Sequence, residues 1–148
     1  TQHCLTTRRY LVRGDGSTAH EGIFDPDSGE FLRGATHQGW RDDSSWARGQ
    51  CWALYGFGTA YRFTGDARFL DAAWRTADFY IERTPADGVP PNDWEEPNPV
   101  RPCESSAAAI AASGFFQLSE LSKDADPARA ERYRGYARTI LGALLTPE

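Results

Sequence analysis

Two kinds of apolar spacing alternate along this chain. Residues 46–61, "WARGQCWALYGFGTAY", and 107–118, "AAAIAASGFFQL", are apolar or small on nearly every helical face. Helices of that kind are buried all round. After each one the spacing turns amphipathic. Phe69, Leu70, Ala73, Trp74, Ala77, Tyr80 and Ile81 recur at intervals of three and four, and Tyr133, Tyr136, Ala137, Ile140, Leu141 and Leu144 do the same. The pattern predicts four helices, at about 44–63, 66–83, 105–121 and 127–145, in the order inner, outer, inner, outer. Asp42, Asp43 or Ser44 is the expected cap of the first, Asp66 opens the second after Gly65, and Pro127 sits in the first turn of the fourth.

The remaining segments read as punctuation. Residues 1–12 look like the end of a helix, broken by Gly14 and Gly16. Residues 20–33 look like a hairpin, with Ile23-Phe24 and Phe31-Leu32 flanking the turn string "DPDSG". That string opens like a calcium loop, but Thr36 holds the twelfth position, where such a loop needs an acid. A Pro-rich loop spans 84–103. Its Trp94, Glu95 and Glu96 are read as a solvated acidic stretch ahead of a lid.

The helices also repeat. Ser44-Ser45 and Ser105-Ser106 lie 61 positions apart, as do Asp66 and Pro127. The expected fold is therefore all-α, built of helical hairpins stacked side by side as in solenoids and toroids. Two hairpins leave the inner helices' apolar faces uncovered. The chain is thus expected to belong to a larger helical assembly, or to oligomerise.

Composition narrows the function. The chain of 148 residues carries a net charge of −5 and a single lysine, Lys123. That balance argues against nucleic acid as a partner. No apolar run is long enough to span a bilayer, so no membrane partner is expected. His3, His20 and His37 show no metal-ligand spacing, and no metal is expected. Cys4, Cys51 and Cys103 form no CxxC pair and read as small buried thiols. Adjacent Asp42 and Asp43 read as helix-start residues, not as an acid/base pair. Ser44 and Ser45 lack the G-x-S-x-G setting of a nucleophile.

The repeat supplies an internal control. A 61-residue shift places Trp46 on Ala107, Arg48 on Ala109, Gln50 on Ala111 and Trp52 on Ser113. The scaffold therefore requires neither Arg48 nor Trp52, which stand at i, i+4 on one helical face. Trp52 offers a flat face for a sugar ring, and Arg48 a planar fork matching a carboxylate. His37 and Gln38 lie one loop upstream, placed to bond hydroxyls. The competing reading is a packed Trp and an Arg paired with a neighbouring Asp.

The strings "THQGWRDDSSWARGQCWALYGF" and "ESSAAAIAASGFFQLSEL" resemble the unsaturated glucuronyl hydrolases, glycoside hydrolase family 88, over most of the chain from His20 onward. The resemblance implies an (α/α)6 barrel. It implies action on lyase-generated oligosaccharides ending in a 4,5-unsaturated uronic acid. An Asp protonates the vinyl-ether double bond, water adds at C5, and the hemiketal opens to release the sugar. No metal or organic cofactor is implied. His20, His37, Gln38, Arg48 and Trp52 match substrate-binding positions: Arg48 on the carboxylate, Trp52 stacked on the ring, Gln38 and His37 on hydroxyls, and His20 lining the cleft. The family's acid/base Asp matches nothing in residues 1–148. The whole chain is therefore expected to be part of a barrel domain, inactive alone, with the rest of the barrel in a parent chain. Glu104 stands where the family has Asp and is read as a cap of the third helix. The rivals are the related unsaturated rhamnogalacturonyl hydrolases and a non-catalytic helical binding scaffold.

Overall fold

Each outer helix begins where the sequence puts an aspartate. The computed structural model, which describes residues 1–97 and 103–146, contains α1 (Gln2–Leu11), β1 (Glu21–Phe24), β2 (Phe31–Ala35), α2 (Ala47–Thr64), α3 (Ala67–Arg83), α4 (Ser105–Ser122) and α5 (Pro127–Leu145). Residues 98–102 of the Pro-rich loop lie outside the described residues. Gly65 ends α2 at φ 68°, its N–H donating to the Tyr61 carbonyl at 2.8 Å. The next residue, Asp66, accepts the Arg68 backbone N–H at 3.0 Å, and Asp126 accepts that of Arg129 at 2.9 Å. Bonds from the Arg68 side chain and backbone hold the Asp66 carboxyl down at about 2.

The inner helices α2 and α4 lie side by side and run in the same direction. Arg48 bonds Ser106 near their starts at 3.0 Å, and Thr59 bonds Gln117 further along at 3.2 Å. Gly114 permits this approach: a Cβ there would lie 2.3 Å from Leu54 Cδ1 and 3.4 Å from Tyr55 Cα. The core is aromatic, with Tyr80, Tyr133, Phe69 and Phe115 fully buried between the inner and outer helices. Such a side chain contributes about 2 kcal/mol by leaving water. Tyr80 Oη donates to the Gly88 carbonyl at 2.8 Å, and burial pushes its phenol far up. Asp78 on α3 accepts from Arg129 at 2.5 Å, Arg132 at 3.0 Å and Tyr133 Oη at 3.1 Å, joining the outer helices.

Several expectations are corrected. The inner helices are not buried all round: Trp52, Gly56 and Phe63 on α2, and Ala109 and Ser113 on α4, are exposed. This is the face that two hairpins leave uncovered. The inner helices start 58 positions apart and the outer ones 60, not 61. A shift of 58 places Arg48 on Ser106 and Trp52 on Ile110, so neither residue is repeated in this alignment either. Cys51 is buried, which pushes its thiol up, whereas Cys103 is exposed. Trp94 is neither solvated nor a lid. Its ring seals the core edge, with centroids 5.4 Å from Phe79 and 5.7 Å from Tyr80.

The hairpin and the segment before it clamp the start of α2. Asp25 Oδ1 accepts the N–H groups of Ser28 (2.7 Å) and Asp27 (3.0 Å), so the turn itself uses this carboxylate. Arg13 donates to Ser17 Oγ, Ser45 Oγ and the carbonyls of Thr18 and Ser44 at 3.0–3.2 Å. Buried Gln50 donates to the carbonyls of Gly16 (2.8 Å) and Thr76 (2.9 Å). Gly16 has φ 89°, and a Cβ there would lie 2.3 Å from the Arg75 carbonyl oxygen. Gly16→Ala therefore combines left-handed strain with a backbone clash and is expected to cost more than about 2 kcal/mol. A urea midpoint that does not move would refute this.

Candidate functional site at the mouth of α2

Hairpin register assembles the first half of the site. Glu21 pairs with Ala35, which sets His20 beside Thr36 and His37. The His37 backbone N–H approaches His20 Nδ1 at 3.3 Å, and Thr36 Oγ1 stands 3.0 Å from the same nitrogen. A backbone N–H only donates, so Nδ1 is the acceptor and the ring proton sits on Nε2. Burial pushes the His20 pKa below its ordinary 6.5; Glu21 opposes this, while His37 and Arg48 add to it. Glu21 Oε1 lies 2.6 Å from His37 Nδ1 and 4.0 Å from His20 Nε2.

This arrangement gives a pH dependence of definite sign. The unfolded chain takes up the His20 proton at a higher pH than the folded chain. The stability due to neutral His20 is thus fully present above pH 6.5 and drains as pH falls below it. Protonation also turns Nδ1 into a donor facing the His37 N–H. Thermal melts between pH 7 and pH 5 should show a larger loss for the wild type than for His20→Gln, and equal losses would refute the assignment.

The second half of the site comes from α2 and α4. The indole of Trp46, 6% exposed, lies between His20 (centroids 4.4 Å) and the Arg48 guanidinium (4.7 Å). Arg48 Nη1 donates to Ser106 Oγ at 3.0 Å and Glu104 Oε1 at 3.3 Å, and Ser106 Oγ donates to Glu104 at 2.6 Å. Glu104 therefore occupies the N-cap position of α4 without capping it; its carboxylate instead orients Arg48. Arg48 is paired as the competing reading expected, but with Glu104 on α4 and not with a neighbouring Asp, and 30% of its side chain stays exposed. One turn on, Trp52 is 54% exposed. With His20 and Trp46 it lines a cavity of about 320 Å3. Its other side borders a cavity of about 350 Å3 shared with Tyr55, Ala109, Ile110 and Ser113.

The remaining candidates are placed differently. The His37 side chain is exposed and turned to Glu21, and Gln38 is exposed on the same loop. Neither lines the cavity at Trp46. Asp42 and Asp43 do not cap α2, whose N-cap is Trp46. Asp42 accepts from the Thr36 N–H (3.0 Å) and Arg33 (2.9 Å), and Asp43 pairs with Arg41 at 2.5 Å.

The groups that serve the start of α2 come from the Pro-rich loop. Asp93, 1% exposed, accepts the Trp40 N–H at 2.9 Å, Ser44 Oγ at 2.6 Å and the Glu95 N–H at 3.1 Å. Glu95 accepts the Ser45 N–H at 2.7 Å, and the Asn92 carbonyl accepts that of Ala47 at 3.0 Å. Gly39 is held against this carboxylate: a Cβ there would lie 2.8 Å from Asp93 Oδ2 and 2.9 Å from Thr36 Oγ1. Trp46, Glu21 and Asp93 were not among the sequence candidates. Only the hairpin register, carried one residue past Glu21, hinted at the histidine–glutamate cluster.

Known proteins are similar to this chain in sequence and fold. An unsaturated glucuronyl hydrolase of Bacillus sp. (strain GL1) is 43% identical over 143 residues, which is 96% of this chain and 38% of that protein. Its crystal structure superposes with a TM-score of 0.89 over 95% of this chain and 37% of that one. The chain matches a segment of the unsaturated glucuronyl hydrolases. Its inner and outer hairpins superpose on a segment of an α/α barrel. An unsaturated glucuronyl hydrolase specific for heparin superposes with a TM-score of 0.90 at 38% identity, over 99% of this chain and 39% of that one. A Streptococcus agalactiae variant complexed with dGlcA-GalNAc6S is 34% identical, with a TM-score of 0.75 over 90% of this chain and 36% of that one. The chain thus spans a little over a third of the length of these unsaturated glucuronyl hydrolases. No protein-family model matches it.

Proposed function

We propose that the mouth of α2 is the uronate-binding half of a hydrolase that removes a 4,5-unsaturated uronic acid from lyase-generated oligosaccharides. The observation that carries this is the fixed, part-exposed Arg48 guanidinium one turn from the exposed face of Trp52. Arg48 offers a charged fork for the substrate carboxylate. Trp52 offers an apolar platform for the ring, whose C4=C5 bond makes it partly planar. Neutral His20, with its proton on Nε2, presents a donor toward the cleft. His37, paired with Glu21, and Gln38 contact hydroxyls at the rim. The reaction protonates the double bond at C4, adds water at C5 and opens the resulting hemiketal, which breaks the link to the next sugar. The reading gives these residues recognition and orientation, and assigns the proton-donating aspartate to none of the 148 residues.

The test exchanges the matched segment of the Bacillus enzyme for this chain. The chimera should remove the ultraviolet absorbance of the 4,5 double bond from unsaturated disaccharides. A folded chimera that leaves absorbance unchanged with glycosaminoglycan and pectin disaccharides alike would overturn the reading. Glu104→Gln in the chimera should raise KM about tenfold, with kcat changed less, because it loosens the group that orients Arg48.

A further inference from the structure

Five arginines border one groove on the α1–α3 side, although the guanidinium of one of them, Arg13, is itself engaged at the start of α2. Arg8 and Arg9 on α1, Arg13 in the turn after it, and Arg68 and Arg75 on α3 line a cavity of about 530 Å3. The chain has 16 Lys and Arg in all and a net charge of −5, so this clustering runs against the global field. Counter-charges are few. Asp71 pairs with Arg8 at 3.3 Å, Asp66 with Arg68 at 2.6 Å, and Asp15 feels the charge of Arg13. Among the described residues, Arg9 and Arg75 have no carboxylate partner within ion-pair distance.

The excess charge is held in place without being neutralised. Arg75 Nη2 donates to the carbonyls of Arg13 (2.7 Å) and Gly14 (3.0 Å). Arg8 Nε donates to the Arg68 carbonyl at 3.1 Å. The Arg9 guanidinium lies 4.9 Å from the centre of the Tyr10 ring. Carbonyls and rings fix a guanidinium and leave its charge for a ligand, and its planar fork suits carboxylate and sulfate. Two excess charges match a dianion. The groove's size falls in the range of small-molecule sites. A long polyanion such as nucleic acid would meet the chain's overall negative field beyond this groove.

We infer that the groove between α1 and α3 binds an anionic saccharide unit bearing two negative groups, as a second saccharide site apart from the mouth of α2. The dianion rests on the groove alone; its saccharide nature rests on the proposed uronate function.

The experiment titrates the protein by calorimetry with dGlcA-GalNAc6S, its unsulfated counterpart, inorganic sulfate and a short DNA oligonucleotide. The wild type should show two sites for the sulfated disaccharide. An Arg48→Ala/Trp52→Ala protein should keep the groove site. Among the described residues Arg9 makes only a surface ring contact, so Arg9→Glu should leave the circular dichroism unchanged. It should nonetheless weaken the groove site about tenfold or more. Arg75→Lys, which keeps the charge, should weaken it less. An unchanged groove site in Arg9→Glu would overturn the inference. So would inorganic sulfate or the oligonucleotide binding as tightly as the disaccharide. Loss of all binding in Arg48→Ala/Trp52→Ala would overturn the groove and leave the cleft reading standing. A groove site without a cleft site would do the reverse.

Discussion

Arg48→Ala should weaken binding of an unsaturated uronate disaccharide about a hundredfold. A charge-assisted hydrogen bond contributes about 1.5–3 kcal/mol, and a guanidinium can give a carboxylate two. A loss of about 3 kcal/mol corresponds to that factor in Kd. Part of the effect comes from Glu104, which loses the cation that balances it at 3.3 Å. Arg48→Lys keeps the charge but not the fork, and should recover only part of the affinity. Calorimetric titration of both variants, with thermal melts to show that they fold, checks this. An Arg48→Ala protein that binds the disaccharide as the wild type does would leave the functional reading without its main support.

Asp93→Ala should be the most damaging single change to stability, at about 3 kcal/mol or more. The carboxylate is 1% exposed and accepts from Trp40, Ser44 and Glu95. Alanine leaves three donors unmet in a space that Gly39 keeps closed. The loss is local first. The 39–45 segment and the 92–95 segment are joined through this group, so His37, Gln38 and the start of α2 should loosen together. Hydrogen exchange should speed up at Trp40, whose N–H bonds the carboxylate, and at Ala47, whose N–H bonds the adjacent Asn92 carbonyl. It should change little at Ala111 in the core of α4. Asp93→Asn keeps an acceptor and should cost less. A denaturation midpoint unchanged in Asp93→Ala would show that the loop does not hold the helix mouth.

The difference between these two residues explains what the sequence disclosed. Arg48 and Trp52 stood out because a second copy of the unit lacks them, and that comparison needs no coordinates. The outer helices were legible for a similar reason: Asp66 and Pro127 mark starts that local chemistry decides. The start of α2 was not legible. Asp42, Asp43 and Ser44 carry good capping chemistry, but Asp93 and Glu95, about fifty positions away, take the hydroxyl of Ser44 and the N–H of Ser45. The helix begins only after them. Trp46 stood only as the first residue of an apolar stretch, and it is buried; its place between His20 and Arg48 appears only when the hairpin is folded against α2. Trp94 and Glu95 read as solvated because proline-rich, acidic segments usually are. Their partners, Phe79, Tyr80 and Ser45, lie on other elements. The inner helices' burial was overestimated because an apolar stripe looks the same whether it meets a neighbour or a cleft.

The most direct test of the central claim is a crystal structure of the protein with an unsaturated uronic acid disaccharide. The account predicts the sugar carboxylate within hydrogen-bond distance of the Arg48 guanidinium, the unsaturated ring against the face of Trp52, and His20 Nε2 turned toward the ligand. A disaccharide bound elsewhere, with Arg48 still engaged only by Glu104 and Ser106, would contradict it.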